Sequence, residues 1–150
     1  SFYFQKYEFE DFKKIDDNFF DAPYGSPEIE TMFSNVWEFG VNRGRITPNE
    51  LVKMSSENPA KVMGLFPKKG RLDRNADADI VIFDPQKKWT ISSENQHTNA
   101  EYTIFEGREV TGKVRTVLSR GFPVLENEQF SGKAGHGRFH PTTTGDWFKR

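Results

Sequence analysis

Residues 1 to 25 mix aromatic and acidic positions without a period. Phe2, Phe4, Tyr7, Phe9 and Phe12 lie among Glu8, Glu10, Asp11, Lys13 and Lys14. Asp16, Asp17 and Asn18 break the run, and Ala22-Pro23-Tyr24-Gly25 reads as a turn, so a loop with one short helical turn is expected. From Ser26 the pattern becomes helical. Ile29, Met32, Phe33, Val36 and Trp37 fall at i, i+3, i+4, i+7 and i+8, which predicts one buried face. Ser26 is the expected N-cap, Pro27 the first helical residue, and Glu28 and Glu30 lie in the first turn, where the helix dipole favours anions. Gly40 or Gly44 is the expected stop. Thr47-Pro48-Asn49-Glu50 is a capping box with proline at the first helical position, followed by Leu51, Val52 and Met54. Asn58-Pro59 predicts a break and restart, and Gly64 the end of a short helix from Pro59 to Met63.

Residues 67 to 130 read as β structure. Ile80-Val81-Ile82-Phe83 is a continuous apolar run closed by Asp84-Pro85, which predicts a strand covered on both faces. Trp89-Thr90-Ile91 and Val114 to Leu118 are further strands. Gly121 turns the chain into Phe122, Val124 and Leu125, and Glu126-Asn127-Glu128 forms a hairpin loop before Gln129-Phe130. Residues 131 to 150, rich in Gly, Thr and Pro, read as an extended tail that is ordered only where it lies on something.

Composition narrows the classes. A length of 150 residues allows one ordinary domain or pieces of two. Leu, Ile, Val and Phe make up about a quarter of the chain, above the rough one-fifth below which a chain reads as disordered. No apolar run approaches the roughly 18 residues of a membrane-spanning helix. With 21 basic and 22 acidic residues, there is no electrostatic case for nucleic acid or an anionic membrane surface. The absence of cysteine excludes disulfides, thiolate metal sites and thiol nucleophiles. The chain starts at Ser1 without a signal-like stretch, and its apolar content is low for a self-contained core. A segment of a larger protein and a small polar domain both fit these facts.

The residues alone display no catalytic set. His136 and His140 have a spacing that places two imidazoles on one helix face, but Gly135, Gly137 and Pro141 oppose a helix there, so they are expected to be solvated tail histidines. His97 has no evident partner in Ser92 to Asn99 and reads as a loop histidine. Asp73, Asn75 and Asp77 mimic the start of a calcium loop, yet Ala78 stands where the sharp turn needs Gly and Asp84 where it needs Glu, so a polar turn is expected. Asp16-Asp17 and Glu8-Glu10 offer paired carboxylates with no sign of convergence. Gly132 to Gly137 does not follow the phosphate-loop pattern.

The stretch Ile46 to Pro85 nevertheless resembles a known family. It contains Asn58-Pro59-Ala60-Lys61-Val62-Met63-Gly64-Leu65-Phe66-Pro67 and Ala76-Asp77-Ala78-Asp79-Ile80-Val81-Ile82-Phe83-Asp84-Pro85. With Phe105-Glu106-Gly107, Val110-Thr111-Gly112, Val114 to Gly121 and Gly135-His136-Gly137-Arg138-Phe139, it resembles the C-terminal part of cyclic amidohydrolases of the hydantoinase and dihydropyrimidinase family. The resemblance covers nearly the whole chain, and the Asn-Pro-Ala-Lys and Ala-Asp-Ala-Asp segments are shared across the wider superfamily.

The resemblance implies an α/β plus β fold. Residues 1–66 would supply the last loop and outer helices of a (β/α)8 barrel, residues 67–130 the C-terminal strands of a small β-sandwich, and residues 131–150 a tail lying along a neighbouring subunit or domain. It implies a cytoplasmic homo-oligomer, dimer or tetramer, that hydrolyses the ring amide of a hydantoin or dihydropyrimidine. The catalyst would be a divalent metal pair, usually zinc, whose bound hydroxide attacks the carbonyl, with an Asp as general base. All the family's metal ligands precede the matched region, so this chain would bind no metal and have no catalytic residue of its own, and alone would be inactive. One site position carries over: Pro23-Tyr24-Gly25-Ser26-Pro27 matches the family's Pro-Asn-Gly-Gly-Pro loop, which makes the backbone of Tyr24 and Gly25 candidate substrate contacts. Asn75, where the family often has Gly, is expected in the left-handed conformation. Two other readings compete: a non-catalytic oligomeric scaffold of the same architecture, and a free-standing β-rich interaction module using Phe2 to Phe12 and Trp147-Phe148 as partner surface.

Overall fold

The computed structural model describes residue 20, residues 25–100 and residues 102–142. The aromatic run Phe2 to Phe12, the carboxylate pairs Glu8-Glu10 and Asp16-Asp17, Tyr24 and Trp147-Phe148 lie outside the described residues.

Helix α1 (Ile29–Val36) continues through a π-helical turn, Trp37–Val41, and ends at Gly44, whose φ of 67° is the left-handed conformation of a helix stop. The start differs from the expectation. The N-cap is Glu28 rather than Ser26, Pro27 lies outside the helix, and no side chain caps the first turn. The buried face also differs. Thr31, Ser34 and Asn35 are the buried residues of α1, whereas Ile29 is 90% and Met32 54% exposed. Only the later part of the predicted apolar stripe packs: Phe33 and Trp37 meet Phe83 with ring centroids 5.1 and 4.9 Å apart.

Helix α2 (Pro48–Val52) begins as its capping box predicts. The Glu50 amide donates to Thr47 Oγ1 at 3.2 Å, and the Thr47 amide donates to Glu50 Oε2 at 2.7 Å. Asn58-Pro59 does not break the chain out of helical conformation. A π-helical turn (Lys53–Glu57) joins α2 to helix α3 (Asn58–Val62), and Asn58 keeps φ −65° and ψ −47°. Proline at the second position of α3 falls where a missing N–H costs least. Gly64 ends the unit at φ 67°. Leu51 and Ala60 are its buried apolar residues.

Among the described residues four antiparallel strands follow in the order β1 (Ile80–Thr90), β2 (Glu109–Ser119), β3 (Phe122–Glu126) and β4 (Gln129–Phe130). The two predicted strands around Asp84-Pro85 are one strand. The register steps from Asp84↔Lys113 to Lys88↔Thr111, so Pro85, Gln86 and Lys87 form a bulge. The Asp84 carboxylate accepts the amides of Gln86 and Lys87 there, and β1 is an edge strand, where a proline is tolerated. Arg120-Gly121 and Asn127-Glu128 have positive φ at both positions, so two-residue turns of the I′ type set the β2–β3 and β3–β4 hairpins. Asn75 is left-handed as expected, at φ 69°.

The strand at Ile80 is not covered on both faces. Val81 and Ile82 are 53% and 48% exposed. Among the described residues the buried apolar side chains are Leu51, Ala60, Ile91 and Val110, a thin core for this length.

Candidate functional site

Gly25, the described half of the expected substrate contact, is exposed and sits at φ 86°, in the left-handed region that favours glycine. Three residues later, Glu28 reaches across the fold. Its Oε1 accepts the Ile104 amide at 2.9 Å and Thr103 Oγ1 at 3.1 Å, and its Oε2 accepts Thr31 Oγ1 at 2.9 Å. Thr31 and Thr103 are buried.

Two more carboxylates of the same helical segment repeat the arrangement. Glu30 accepts the His97 backbone amide at 2.8 Å and lies 2.6 Å from His97 Nδ1. Glu38 accepts the side-chain amide of Asn42 and the Thr111 backbone amide, both at 3.0 Å. The Asn42 bond first, then the Thr111 bond, hold the Glu38 carboxyl below its ordinary range. Near-continuous carboxylate contacts therefore fasten α1 to the loop after β1 and to β2. The sequence reading missed them because the partners are about 70 positions apart.

Between α1 and the sheet lies an open cavity of about 620 Å³, lined by Glu30, Trp89, His97, Val114, Val117 and Leu125 among others. Gly112 supports this junction. With φ at 112°, a side chain there would bring a Cβ within 2.5 Å of Trp37 and 2.6 Å of Phe83.

Two of the three histidines make hydrogen-bonding contacts, which corrects the expectation of isolated side chains for His97 and His136. His97 is held by Glu30. His136 Nε2 lies 3.2 Å from the Ser119 carbonyl oxygen, its ring meets Phe122 edge-on at 5.6 Å, and its carbonyl accepts from Arg120. His140 sits 3.9 Å from Asp77. Polar residues without an apolar period are thus seated on the sheet by side chains that the tail itself contributes. The acidic turn is also occupied. Asp77 pairs with Lys68 at 2.7 Å and Lys69 at 2.9 Å, and Asp79 pairs with Lys69 and accepts the Arg120 amide. Hydrogen bonds from Lys68 and Lys69 hold the Asp77 carboxyl at about 2. For Asp79, burial raises the carboxyl, and Lys69 and the Arg120 amide more than offset it, leaving the group below its ordinary value.

Among the described residues no three or more His, Asp or Glu side chains converge as metal ligands. The carboxylates that cluster are directed to lysines, hydroxyls and amides, so this donor set does not fit a divalent metal.

The comparisons with known proteins agree with one another. Residues 27–124 match the family model described as the amidohydrolase family. The chain is 46% identical over 122 residues to the D-hydantoinase of Geobacillus stearothermophilus and 42% identical over 125 residues to the dihydropyrimidinase of Rattus norvegicus. These alignments cover 81% and 83% of this chain but 26% and 24% of those proteins, so the chain spans about a quarter of the length of the curated relatives it matches. The crystal structure of dihydropyrimidinase from Brevibacillus agri NCHU1002 superposes with a TM-score of 0.87 at 40% identity, covering 93% of this chain and 30% of that one. A family match over more than half of the chain, carried by the same helices and strands that build the junction around α1, places this polypeptide in the amidohydrolase family.

Proposed function

We propose that this chain is the C-terminal segment of a metal-dependent hydrolase that opens cyclic amides of the hydantoin or dihydropyrimidine type. The observation that carries the reading is identity of 39–46% over about four-fifths of the chain to proteins named as D-hydantoinases and dihydropyrimidinases. In this reading residues 1–66 are the last loop and outer helices of the barrel, residues 67–130 the C-terminal strands of the sandwich, and residues 131–150 the tail. The exposed Ile29, Met32, Val81 and Ile82 then face elements supplied by the rest of the protein. The divalent metal pair, zinc by family resemblance, is held by residues outside this chain. Tyr24 and Gly25 contribute backbone contacts to the substrate ring. The whole protein is a cytoplasmic homo-oligomer, and the segment alone is inactive.

The test is to purify the full-length protein that contains these residues and assay ring opening of hydantoin and a dihydropyrimidine, with metal content measured on the same sample. Bound divalent metal with turnover supports the proposal. A folded full-length protein that binds no metal and opens neither ring overturns it in favour of the scaffold reading. Turnover by residues 1–150 alone would overturn the assignment of the metal ligands elsewhere.

A further inference from the structure

We infer that the α1 segment is an interaction surface that recognises the main chain of the sheet unit, so that the docking is specified by Glu28, Glu30 and Glu38 and not by the side chains they meet. Each carboxylate accepts one backbone amide from across the junction. Glu30 takes the His97 amide at 2.8 Å, Glu28 the Ile104 amide at 2.9 Å and Glu38 the Thr111 amide at 3.0 Å. The side chains at those three positions are an imidazole, an aliphatic group and a hydroxyl, so the amide is the feature they share. Ile104 shows this most plainly, because its side chain is 62% exposed while its amide is bound. The Thr103 hydroxyl and the His97 ring add to two of the grips without replacing the amide in either.

Thr111 shows how the main chain is read. Strand β3 pairs with β2 from Thr116 to Ser119, so it ends short of Thr111. There Glu38 accepts the Thr111 amide, and Asn42 Nδ2 donates to the Thr111 carbonyl at 3.3 Å and to Glu38 Oε2 at 3.0 Å. Two side chains one helical turn apart thus satisfy both main-chain groups of one strand residue, as a neighbouring strand would. Every residue except proline offers an amide, whereas a carboxylate is the acceptor that makes the stronger, charge-assisted bond to it. The two sides of the junction therefore differ in what they tolerate: the side chains at 97, 104 and 111 are free to change, and the three glutamates are not. This docking does not depend on which ring the whole protein opens.

The experiment measures amide exchange in the full-length protein that contains these residues. Glu28→Ala, Glu30→Ala and Glu38→Ala are each expected to speed exchange at the amide they release, Ile104, His97 and Thr111 respectively, on the order of tenfold. The glutamine variants keep a neutral acceptor and are expected to give about threefold, and they are read in place of any alanine variant that fails to fold. On the other side, His97→Ala, Ile104→Ala and Thr111→Val are expected to change exchange at the three amides less than about twofold. Partner-side variants that accelerate exchange as much as the glutamate variants overturn the inference, because the side chains would then carry the docking. Glutamate variants that leave all three amides at their wild-type rates overturn it as well.

Discussion

Helices α1 and α2 start in opposite ways. Helix α2 is held by its own sequence: Thr47 and Glu50 satisfy each other's amides within four residues, Ser55 Oγ donates back to the Leu51 carbonyl, and Leu51 and Ala60 are buried nearby. Helix α1 has no side-chain cap. Its position comes from Glu28, Glu30 and Glu38, whose partners lie at Thr103, Ile104, His97 and Thr111. The difference teaches that one helix is specified by local chemistry and the other by tertiary contacts, so perturbations should divide between them.

The largest effect is expected at Gly112. Gly112→Val adds a clash with Trp37 and Phe83 to the cost of a β-branched residue at φ 112°, and should destabilise by about 4 kcal/mol or more. Amide exchange should open α1 and the β1–β2 pairing while α2 stays protected. Equal loss of protection in α2 would break the division. Next, Leu51→Ala removes a side chain 2% exposed and should cost about 3 kcal/mol, seen as a lower melting temperature with α2 and α3 opening before the sheet. Thr47→Ala removes one half of the capping box and should cost about 1 kcal/mol. Its exchange signature should be confined to the first turn of α2, and a response at α1 would contradict local specification.

The smallest change concerns the acidic turn between α3 and β1. The Asp77 carboxyl is held at about 2 against an ordinary 3.8, so the folded state favours the charged form. Its contribution is fully present above pH 3.8 and is lost as the pH falls towards 2. NMR titration of the side-chain carboxyl should show this low midpoint, and Asp77→Asn should remove the Asp77 step from the signals of Lys68 and Lys69 while the Asp79 carboxyl still titrates and the signals of α2 stay unmoved. A midpoint near the ordinary value would mean that the Lys68 and Lys69 pairs do not persist in solution.

What was legible follows the same division. Thr47-Pro48-Asn49-Glu50, Gly64 and the hairpin at Asn127-Glu128 were readable because each signal and its consequence lie within a few residues, whereas Asn75 followed from the resemblance to a family that often has Gly there. The strand positions at Ile80 and Val114 to Leu118 were readable because an apolar, β-branched run has few alternatives. The break at Pro85 was misread because whether a proline ends a strand depends on its being at a sheet edge and in a bulge. The buried face of α1 was misread because periodicity reports where apolar residues lie, not which partner is present to cover them. Thr31 is buried with its hydroxyl on Glu28, which also binds the 103–104 segment, while Ile29 and Met32 face outward.

The sequence by itself determined the capping box of α2, the hairpin turns and the absence of thiol chemistry, all of which depend on residues near one another or on composition, and its resemblance to known segments pointed to the family. Only the tertiary structure decided that Glu28, Glu30 and Glu38 bind distant donors, that His97 and His136 are engaged, and that the apolar flanks at Ile29, Met32, Val81 and Ile82 are open. The reason is geometric: hydrogen bonds act over about 3 Å in space, and the chain brings residues 70 positions apart to that distance only once the helix has docked on the sheet.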